Sequence, residues 1–530
     1  MTPLPRIVSA LGLLLCIAGF TAPARGGARV PAGFVDELLA AHLDYPVAMA
    51  FLPDGRLLVT EKNSARIRLL VNTQLSALPV ATMDSVRSMC GLSPCIESGF
   101  LGIAVDPGWP ARPYLYVMYD WTGGPYLRLA RLTAAGDLDH TGDGSLTADP
   151  ESEYVILGEL RDLNPEHNGG TLRFAPDGML VLGVGDDDER CLAQILSVPA
   201  GKLLRLDVGS LPPGPGVLAD YSLITPPDNP FVANPDSLAR LVWASGLRNP
   251  WNFHIDPPTG RLFVPDVGEI LNEEVSLADA PGLQFGWPWY EGYTRTTTTC
   301  LDDSTGSRAP IYMYDRSAFG SFAAIMGAGV YRRPTPTAPH AFPAEYEGDY
   351  FFSDLGAGFM RRLKETDGVW SIAPPVPGQP NATDWANRLE TVTDYRVGPD
   401  GALWYVKNSV AGAPGTGEVH RIHGPPIGGV SVPPAVPAPF RLDRPYPSPS
   451  RGSVTIGFTL ARPAIVRLSI HDLSGRAVRT LASGERLPGG ALARVWDGCD
   501  SEGRPVPAGL YVVTLATPEG VASSRCLIAR

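Results

Sequence analysis

Short apolar runs alternate with polar turns along most of the chain, and one such unit recurs. In each copy an apolar run ends at a turn of the Pro-Asp-Gly kind, and a second apolar run follows at once. Proline presets the dihedral angle before such a turn, and aspartate and glycine form the turn itself. Each copy therefore predicts two antiparallel strands. The copies are FLPDGRLLVTE from Phe51, FAPDGMLVLGVGD from Phe174, VGPDGALWYV from Val397, the looser IDPPTGRLFVPDVG from Ile255, and the weaker VDPGWPARPYLYVMYD from Val105 and YEGDYFFSD from Tyr346.

The spacing of these copies predicts the fold class. They lie about 50 to 90 residues apart, which is too long for a hairpin repeat and suits one four-stranded blade with variable loops. Six copies predict an all-β chain with a six-bladed β-propeller over residues 29–424. An array of β-sandwiches joined by common turns is the alternative.

The last part of the chain predicts a separate small domain. Residues 425–440, PPIGGVSVPPAVPAPF, are rich in proline and carry no charge, which is typical of a semi-rigid linker. Residues 441–530 contain the strand-like runs SVTIGFTL, AIVRLSIHDL, ALARVWDG and GLYVVTLAT, separated by turn residues. We therefore expect an immunoglobulin-like β-sandwich over residues 441–530.

Residues 1–28 have the pattern of a secretory signal peptide. Arg6 precedes an apolar run over residues 7–20, and small residues then offer cleavage after Ala24 or Ala28. This pattern predicts a secreted, periplasmic or cell-surface protein, with an uncleaved anchor as the alternative. No other run is long enough to span a membrane, so we expect no span once the signal is removed.

Composition and charge exclude one class of partner. The chain has 530 residues, 58 of them glycine and 54 proline, which suits many strands joined by tight turns. Its hydrophobic content of 44% is ample for a core. The formal net charge is −12 and no long basic run occurs, so nucleic-acid binding is disfavoured.

Six cysteines remain after removal of the signal, and an even number fits an oxidising compartment. Six cysteines allow fifteen pairings, so any connectivity is a hypothesis. The spacings do not resemble a zinc site. The pairs that we favour are Cys90–Cys95, Cys191–Cys300 and Cys499–Cys526.

Several motifs, in order, resemble the glucose/sorbosone dehydrogenase family. They are EHNGGTLRFAPDG, GKLLRLD, GLRNPWNFHIDPPTGRLFVPDVGE, NEEV and FGWPWYEG, and the resemblance covers residues 46–424. It implies a six-bladed propeller that oxidises a sugar, in many members with the quinone cofactor PQQ and calcium. The C-terminal YPSPSRGSVTIGFTL and WDGCDSEGRPVPAGLYVV resemble immunoglobulin-like sandwiches of flagellar-hook capping proteins and secretion-sorting tails.

The resemblance also implies catalytic roles. Oxidation of a sugar hemiacetal to its lactone needs a base for the hydroxyl proton and an acceptor for the hydride. His167 matches the family's base, because neutral imidazole accepts a proton near pH 7. Glu166 matches a carboxylate that orients the imidazole. Arg248 and Asn249 match a pair that contacts the quinone oxygens, where a guanidinium would stabilise developing negative charge.

The same resemblance implies a metal site and a substrate contact. Gly268 and Glu269 fall where backbone carbonyls hold calcium, a cation that prefers oxygen ligands. Glu97 falls where a polar side chain contacts the substrate hydroxyl.

One part of the family pattern is missing. Family members bind the three PQQ carboxylates with basic residues, but Thr391, Thr393 and Gly356 stand in those positions. Bidentate contacts between arginine and carboxylate are strong, so their loss predicts weak PQQ binding. The basic residues that could substitute are Arg361, Arg362, Arg396 and Lys407.

Three functions fit these features. The first is a secreted, quinoprotein-like dehydrogenase that oxidises an aldose and passes electrons to a separate acceptor. The second is a calcium-bearing propeller that binds carbohydrate or protein without redox chemistry, which the missing basic residues favour. The third is a lactonase in which calcium and His167 activate water. His167 also has a structural interpretation, as a histidine satisfied within a turn.

Overall fold

In the residues that the structure describes, the regular secondary structure is almost entirely β-strand. The computed structural model describes residues 27–88, 97–298, 300, 306–319, 322–409, 413–424, 440–443, 445–446, 450, 452–472 and 475–529. Within these residues the helical segments are single turns, namely the α-helical Tyr221–Ile224 and the 3-10 turns Pro150–Ser152, Arg190–Gln194, Ala239–Leu241, Arg316–Ala318 and Ala344–Tyr346.

Six antiparallel sheets follow one another along the first 424 residues, and we number them as blades 1 to 6. Blade 1 contains Pro46–Phe51, Leu57–Glu61, Arg66–Val71, Gln74–Leu75 and Ala81–Thr82; blade 2 contains Phe100–Val105, Tyr114–Asp120, Tyr126–Gly136, Leu146–Ala148 and Tyr154–Arg161; blade 3 contains Leu172–Phe174, Leu180–Val184, Lys202–Leu206 and Val242–Ser245. Blade 4 contains His254–Ile255, Leu262–Asp266, Asn272–Ala278 and Tyr312–Asp315; blade 5 contains Ile325–Val330, Tyr350–Asp354, Met360–Thr366, Val369–Ile372 and Asp384–Ala386; blade 6 contains Val392–Val397, Leu403–Lys407, Gly417–His423 and Val35–Leu43. A small ribbon of Tyr290–Glu291 and Thr294–Arg295 lies outside the blades.

The blades close into a ring. First strands of neighbouring blades contact each other between blades 1 and 2, 2 and 3, 4 and 5, 5 and 6, and 6 and 1. Blades 3 and 4 are joined at the same level, because the Thr171 hydroxyl donates to the Trp251 carbonyl oxygen at 2.6 Å. The predicted six-bladed propeller is confirmed.

The repeated turn has the same place in every blade. It joins the first strand, next to the axis, to the second, as between Phe51 and Leu57 in blade 1 and between Phe174 and Leu180 in blade 3. The turn therefore recurs once per blade, which is why its spacing predicted the number of blades. All six turns lie at one end of the propeller, opposite the end at which the first strand of each blade begins.

Blade 6 is completed by the N-terminal strand. Val35–Leu43 pairs antiparallel with Gly417–His423, so the beginning and the end of the propeller share one sheet. Leu43 is fully buried in a cluster with side chains of blades 1 and 6, such as Val59 and Val419. The repeated turns gave no sign of this strand, because it lies outside every copy.

The C-terminal segment forms two packed sheets. One sheet contains Phe440–Leu442, Val454–Leu460 and Gly490–Trp496, and the other contains Ala464–His471, Ala477–Leu487, Gly509–Thr517 and Gly520–Ile528. Alternate side chains of both sheets meet in one core, for example Ile456 and Leu468. The predicted small β-sandwich is confirmed, whereas the exact boundaries of the predicted domains stay predictions.

Two sequence predictions fall largely outside the described residues. These are the signal peptide, of which residues 1–26 lie outside, and the linker, of which residues 425–439 lie outside. Among the described helices, none is long and apolar enough to cross a membrane.

The three predicted disulfides have three outcomes. Cys191 and Cys300 are bonded, as predicted. The pair Cys90–Cys95 lies outside the described residues. The pair Cys499–Cys526 is wrong, because both are free. Cys526 is buried in the core between the two sheets of the sandwich, whereas Cys499 lies in the loop after Trp496.

The closing strand generates a stability prediction. We expect Leu43→Ala to lower the free energy of unfolding by about 2–5 kcal/mol, since it leaves a cavity between blades 1 and 6. Leu38 lies on the same strand but is 52% exposed, so we expect Leu38→Ala to change this free energy by at most about 0.5 kcal/mol. Urea denaturation followed by tryptophan fluorescence measures both. Equal midpoints for the two variants would show that the strand does not hold the ring closed.

Candidate functional site

The candidate residues gather at the end of the propeller opposite the repeated turns. His167 precedes the first strand of blade 3, and Asp186 follows the second strand of that blade. These strands are antiparallel, with Leu172 opposite Leu182, so residues before one and after the other meet at the same edge. Arg248 precedes the first strand of blade 4 and therefore lies at the same edge.

A buried aspartate holds the histidine. Nδ1 of His167 lies 2.7 Å from Oδ1 of Asp186, and the indole Nε1 of Trp287 donates to the other oxygen, Oδ2, at 2.8 Å. The backbone N–H of Asp186 also donates to the Arg248 carbonyl oxygen at 2.8 Å. Because Asp186 accepts a hydrogen bond from Nδ1–H, Nε2 of the neutral ring is left as the proton acceptor.

The loop before blade 3 needs its glycines for packing against the protein. His167 itself has a left-handed backbone, with φ of 61°. A Cβ on Gly169 would lie 2.5 Å from the Gly183 carbonyl oxygen, and one on Gly185 would lie 1.9 Å from the His167 carbonyl oxygen. The two segments therefore touch backbone to backbone, and these contacts, rather than access for a ligand, explain the glycines beside His167.

The surroundings of His167 set its proton affinity. Burial lowers the pKa of the imidazole, as does the positive charge of Arg248. The hydrogen bond to Asp186 and the negative charges of Glu97 and Asp186 raise it, and these prevail, so the pKa of His167 lies above its ordinary value of 6.5. A base of this kind becomes neutral, and able to accept a proton, as the pH rises through that pKa.

Glu97 connects the loops before blades 3 and 4. Its Oε2 accepts the backbone N–H of Asn168 at 2.9 Å, and its Oε1 accepts an amide N–H of Asn249 at 2.8 Å. The Asn249 amide oxygen in turn accepts the backbone N–H of Gly169 at 3.2 Å. Burial raises the pKa of Glu97. This network fixes the loop that carries His167 in its left-handed conformation.

Arg248 lies in the loop that precedes the first strand of blade 4. Its backbone N–H and that of Asn249 donate to the Asp266 carboxylate, at 2.8 and 2.7 Å. Its guanidinium donates to the Val267 carbonyl oxygen at 3.0 Å and lies 5.6 Å from the centre of the Trp287 ring. Since Trp287 also binds Asp186, one side chain touches both the guanidinium and the partner of the base.

The loop from Gly268 to Asn272 curls around a carboxylate. Oε1 of Glu291 accepts four consecutive backbone N–H groups, those of residues 269, 270, 271 and 272, at 2.8–3.0 Å. The curl is tight, because a Cβ on Gly268 would lie 1.7 Å from the Asn272 carbonyl oxygen. At the start of this loop the Gly268 carbonyl oxygen accepts a hydrogen bond from Nη1 of Arg316 at 2.5 Å.

Comparison with known proteins identifies the propeller. The family model for glucose/sorbosone dehydrogenases matches residues 43–414. The chain belongs to the glucose/sorbosone dehydrogenase family. A second model, the FlgD Ig-like domain, matches residues 448–520.

Individual relatives agree with this family. The chain is 25% identical over 393 residues to an aldose sugar dehydrogenase of Escherichia coli, covering 72% of this chain and 92% of that protein. It is 28% identical over 236 residues to the hedgehog-interacting protein of Mus musculus, covering 42% and 31%. The PQQ-bound aldose sugar dehydrogenase of Streptomyces coelicolor superposes with a TM-score of 0.52 at 21% identity, covering 74% of this chain and 99% of that one, and so shares the fold.

The role predicted for Glu166 is wrong. Its side chain is exposed to solvent, and the hydrogen bond to the imidazole comes from Asp186. The residue beside His167 in sequence points away because the left-handed backbone turns the chain at His167. The repeated motif that begins at Phe174 ends at Asp186. The register of its hairpin places Asp186 beside His167, and this signal could have identified the partner of the histidine.

Arg248, Asn249 and Glu97, which were predicted to contact the cofactor or the substrate, have different surroundings in the structure. Arg248 is half-buried at the site, beside Trp287. Asn249 is 1% exposed, and both ends of its amide bind protein groups. It therefore positions the His167 loop in this structure. Glu97 is half-buried and holds the same loop with both oxygens.

The predicted calcium site does not fit calcium. Of the two backbone carbonyl groups predicted to hold calcium, that of Gly268 accepts a hydrogen bond from the Arg316 guanidinium. The side chain of Glu269, which was not part of that prediction, forms an ion pair with Arg190. The described residues contain no cluster of three or more His, Cys, Asp or Glu side chains that could hold a metal ion. Arg316 escaped sequence reasoning because 48 residues separate it from Gly268.

At the three positions where the family has basic residues that bind PQQ, the residues of this chain make contacts within the protein. The Thr391 hydroxyl donates to the Ser409 carbonyl oxygen, and a Cβ on Gly356 would lie 2.3 Å from the Phe322 carbonyl oxygen. Thr393 is buried. The basic residues proposed as substitutes all bind protein groups: Arg361 with Asp384 at 2.8 Å, Arg362 with Asp349 at 2.7 Å, Arg396 with Asp394 at 3.0 Å, and Lys407 with the Arg388 carbonyl oxygen at 2.9 Å.

The contacts of His167 generate a titration prediction. We expect its pKa to lie above 6.5 in the wild type and to fall in Asp186→Asn, because the carboxylate's hydrogen bond and charge both raise it. NMR of the imidazole Cε1–H groups measures this, with the His167 signal assigned by its absence from His167→Gln. Glu418→Gln is the control, since Glu418 binds the distant His420. A His167 pKa that is unchanged in Asp186→Asn would contradict the account.

Proposed function

We propose that the protein is a dehydrogenase that oxidises the anomeric carbon of an aldose to the lactone. The observation that carries the proposal is the His167–Asp186 pair, a base oriented by a buried carboxylate at the mouth of a family propeller. Its relatives include an aldose sugar dehydrogenase. A sugar hydroxyl suits this site, because Nε2 of the neutral His167 ring is a free proton acceptor once Nδ1–H is bound to Asp186.

In the proposed reaction His167 removes the proton of the anomeric hydroxyl. Nε2 accepts this proton while Nδ1–H stays bound to Asp186, which stabilises the imidazolium that forms. Departure of a hydride from the same carbon then completes the lactone. Arg248 offers a positive charge at this end of the propeller, where it would stabilise negative charge on a reduced acceptor.

The hydride acceptor is proposed to be a quinone bound without the family's full set of contacts. PQQ is the family cofactor, and one neighbour in fold is a PQQ-bound form. The basic residues that bind the PQQ carboxylates in the family are absent, and the basic residues that could replace them are bound to other protein groups. The Gly268 carbonyl oxygen, which was predicted to hold calcium, accepts a hydrogen bond from Arg316. These residues do not fit PQQ held together with calcium, so no step is derived through either group.

A second function is favoured by the same paired side chains. If no quinone binds, the propeller is a recognition module for carbohydrate or protein, as the hedgehog-interacting relative suggests. His167 and Asp186 would then bind a ligand hydroxyl rather than move a proton.

We further propose that the protein acts outside the cytoplasm. The signal-like residues 1–28 support this location, and so does the Cys191–Cys300 disulfide, since such bonds persist in oxidising compartments.

The dehydrogenase proposal predicts a specific pattern of mutant rates. His167→Gln is expected to lower the rate of aldose oxidation by about 10² to 10⁴, because glutamine cannot take up the proton. Glu166→Gln is the matched control and is expected to leave the rate unchanged, since Glu166 is exposed and Asp186 orients the ring. The assay is dye-coupled oxidation of a panel of aldoses by the full-length protein, with PQQ added and with calcium or EDTA.

Three results are informative. A loss confined to His167→Gln supports the proposal. Equal losses in both variants would restore Glu166 as the partner and contradict the role of Asp186. A wild type that oxidises no aldose, and shows no PQQ binding by equilibrium dialysis, would reject the dehydrogenase and leave the recognition module.

A further inference from the structure

Two arginines hold the two carbonyl groups at the start of the curled loop. The Arg248 guanidinium donates to the Val267 carbonyl oxygen at 3.0 Å, and the Arg316 guanidinium donates to the Gly268 carbonyl oxygen at 2.5 Å. The loop turns its N–H groups toward Glu291. We infer that Arg316 replaces the divalent cation of this site, so that the protein carries its positive charge there on a side chain and binds no calcium at Gly268.

Arg316 is built into the site from two directions. Its backbone N–H donates to the Leu271 carbonyl oxygen at 3.0 Å, so the same residue binds the curled loop through main chain and side chain. Its guanidinium also forms an ion pair with Glu273, which is fully buried. A 3-10 turn begins at Arg316 directly after the last strand of blade 4, and Asp315 caps it. The side chain therefore has little freedom to leave.

The ion pair with Arg316 offsets the charge of Glu273. Glu273 lies in the interior, where an unpaired carboxylate is unfavourable. Arg316 supplies an opposite charge beside it, and the buried Asp354 adds a second negative charge nearby. Oε2 of Glu273 accepts the backbone N–H of Ile325 at 3.0 Å, which ties the pair to the first strand of blade 5. Glu273 is the one carboxylate in contact with the Arg316 guanidinium among the ion pairs that the structure describes.

Calcium and Arg316 exclude each other at this carbonyl. Calcium binds oxygen at about 2.3–2.6 Å, and the Arg316 nitrogen lies 2.5 Å from the Gly268 oxygen. A calcium ion bound to the same oxygen would lie close to the guanidinium, and the two cations would repel each other. This inference concerns the cation alone, so it can hold whether or not the protein oxidises sugars.

Removal of the guanidinium tests the inference through a gain of calcium binding. In Arg316→Met the side chain keeps its length but loses its charge, which leaves the Glu273 carboxylate and the Gly268 oxygen open to a cation. We expect full-length, EDTA-treated Arg316→Met to bind one more calcium ion than the wild type in equilibrium dialysis. Its melting temperature is expected to rise by about 2 °C or more when calcium replaces EDTA, as for any ligand that binds only the folded state.

Arg190→Met is the matched control. Arg190 pairs with Glu269 on the outer side of the same loop and is 45% exposed, so its removal should leave the number of bound calcium ions at the wild-type value. Arg316→Lys keeps a charge and should also gain no calcium.

The wild type keeps the inference testable even if Arg316→Met does not fold. Crystals of the wild type soaked in calcium chloride are expected to show the Arg316 guanidinium, and no anomalous peak, at the Gly268 oxygen. A calcium peak within about 2.6 Å of that oxygen would overturn the inference. A folded Arg316→Met that binds no more calcium than the wild type would overturn it as well.

Discussion

The buried Asp186 carboxylate is the contact on which the site depends. A carboxylate in the interior is stable only when hydrogen bonds replace its water, and Asp186 receives them from His167 and Trp287. These partners come from the loop before blade 3 and from the loop after the third strand of blade 4. Because the Asp186 side chain binds both loops, the position of His167 depends on the position of Trp287.

Two further buried carboxylates organise the neighbouring loop in a similar way. Glu291 collects four backbone N–H groups of the curled loop, and Glu273 pairs with Arg316 beneath it. Removing one partner of such a pair leaves an uncompensated charge, which typically destabilises a protein by about 3–5 kcal/mol. The curled loop is therefore held by hydrogen bonds and an ion pair from the protein's own side chains.

Much of the fold could be predicted because local chemistry repeats. Each Pro-Asp-Gly turn, such as that after Phe51, marks the hairpin next to the axis of one blade, so counting turns counts blades. The closing strand Val35–Leu43 carries no such turn, and its partner lies almost 400 residues away. The Cys499–Cys526 pair failed for a similar reason, since nearness in one small domain does not decide which side of a strand a cysteine faces.

Most residues of the site could be predicted from the sequence, but fewer of their contacts could. His167, Arg248 and Gly268 meet at one edge, as their positions before and after strands imply. Glu166 was assigned by adjacency in sequence, whereas the left-handed backbone at His167 and the hairpin register select Asp186. Arg316 reaches Gly268 because the third and fourth strands of blade 4 pair with Asn272 opposite Asp315, a register that no local motif records.

The central claim is that Asp186 acts through His167, and a double-mutant cycle tests it most directly. The rates of aldose oxidation are measured for the wild type, Asp186→Asn, His167→Gln and the double variant. If the two residues act as a unit, the double variant is no slower than His167→Gln alone, because losses within a catalytic unit are not additive. Losses that multiply in the double variant would show that Asp186 acts independently of the histidine and would contradict the account.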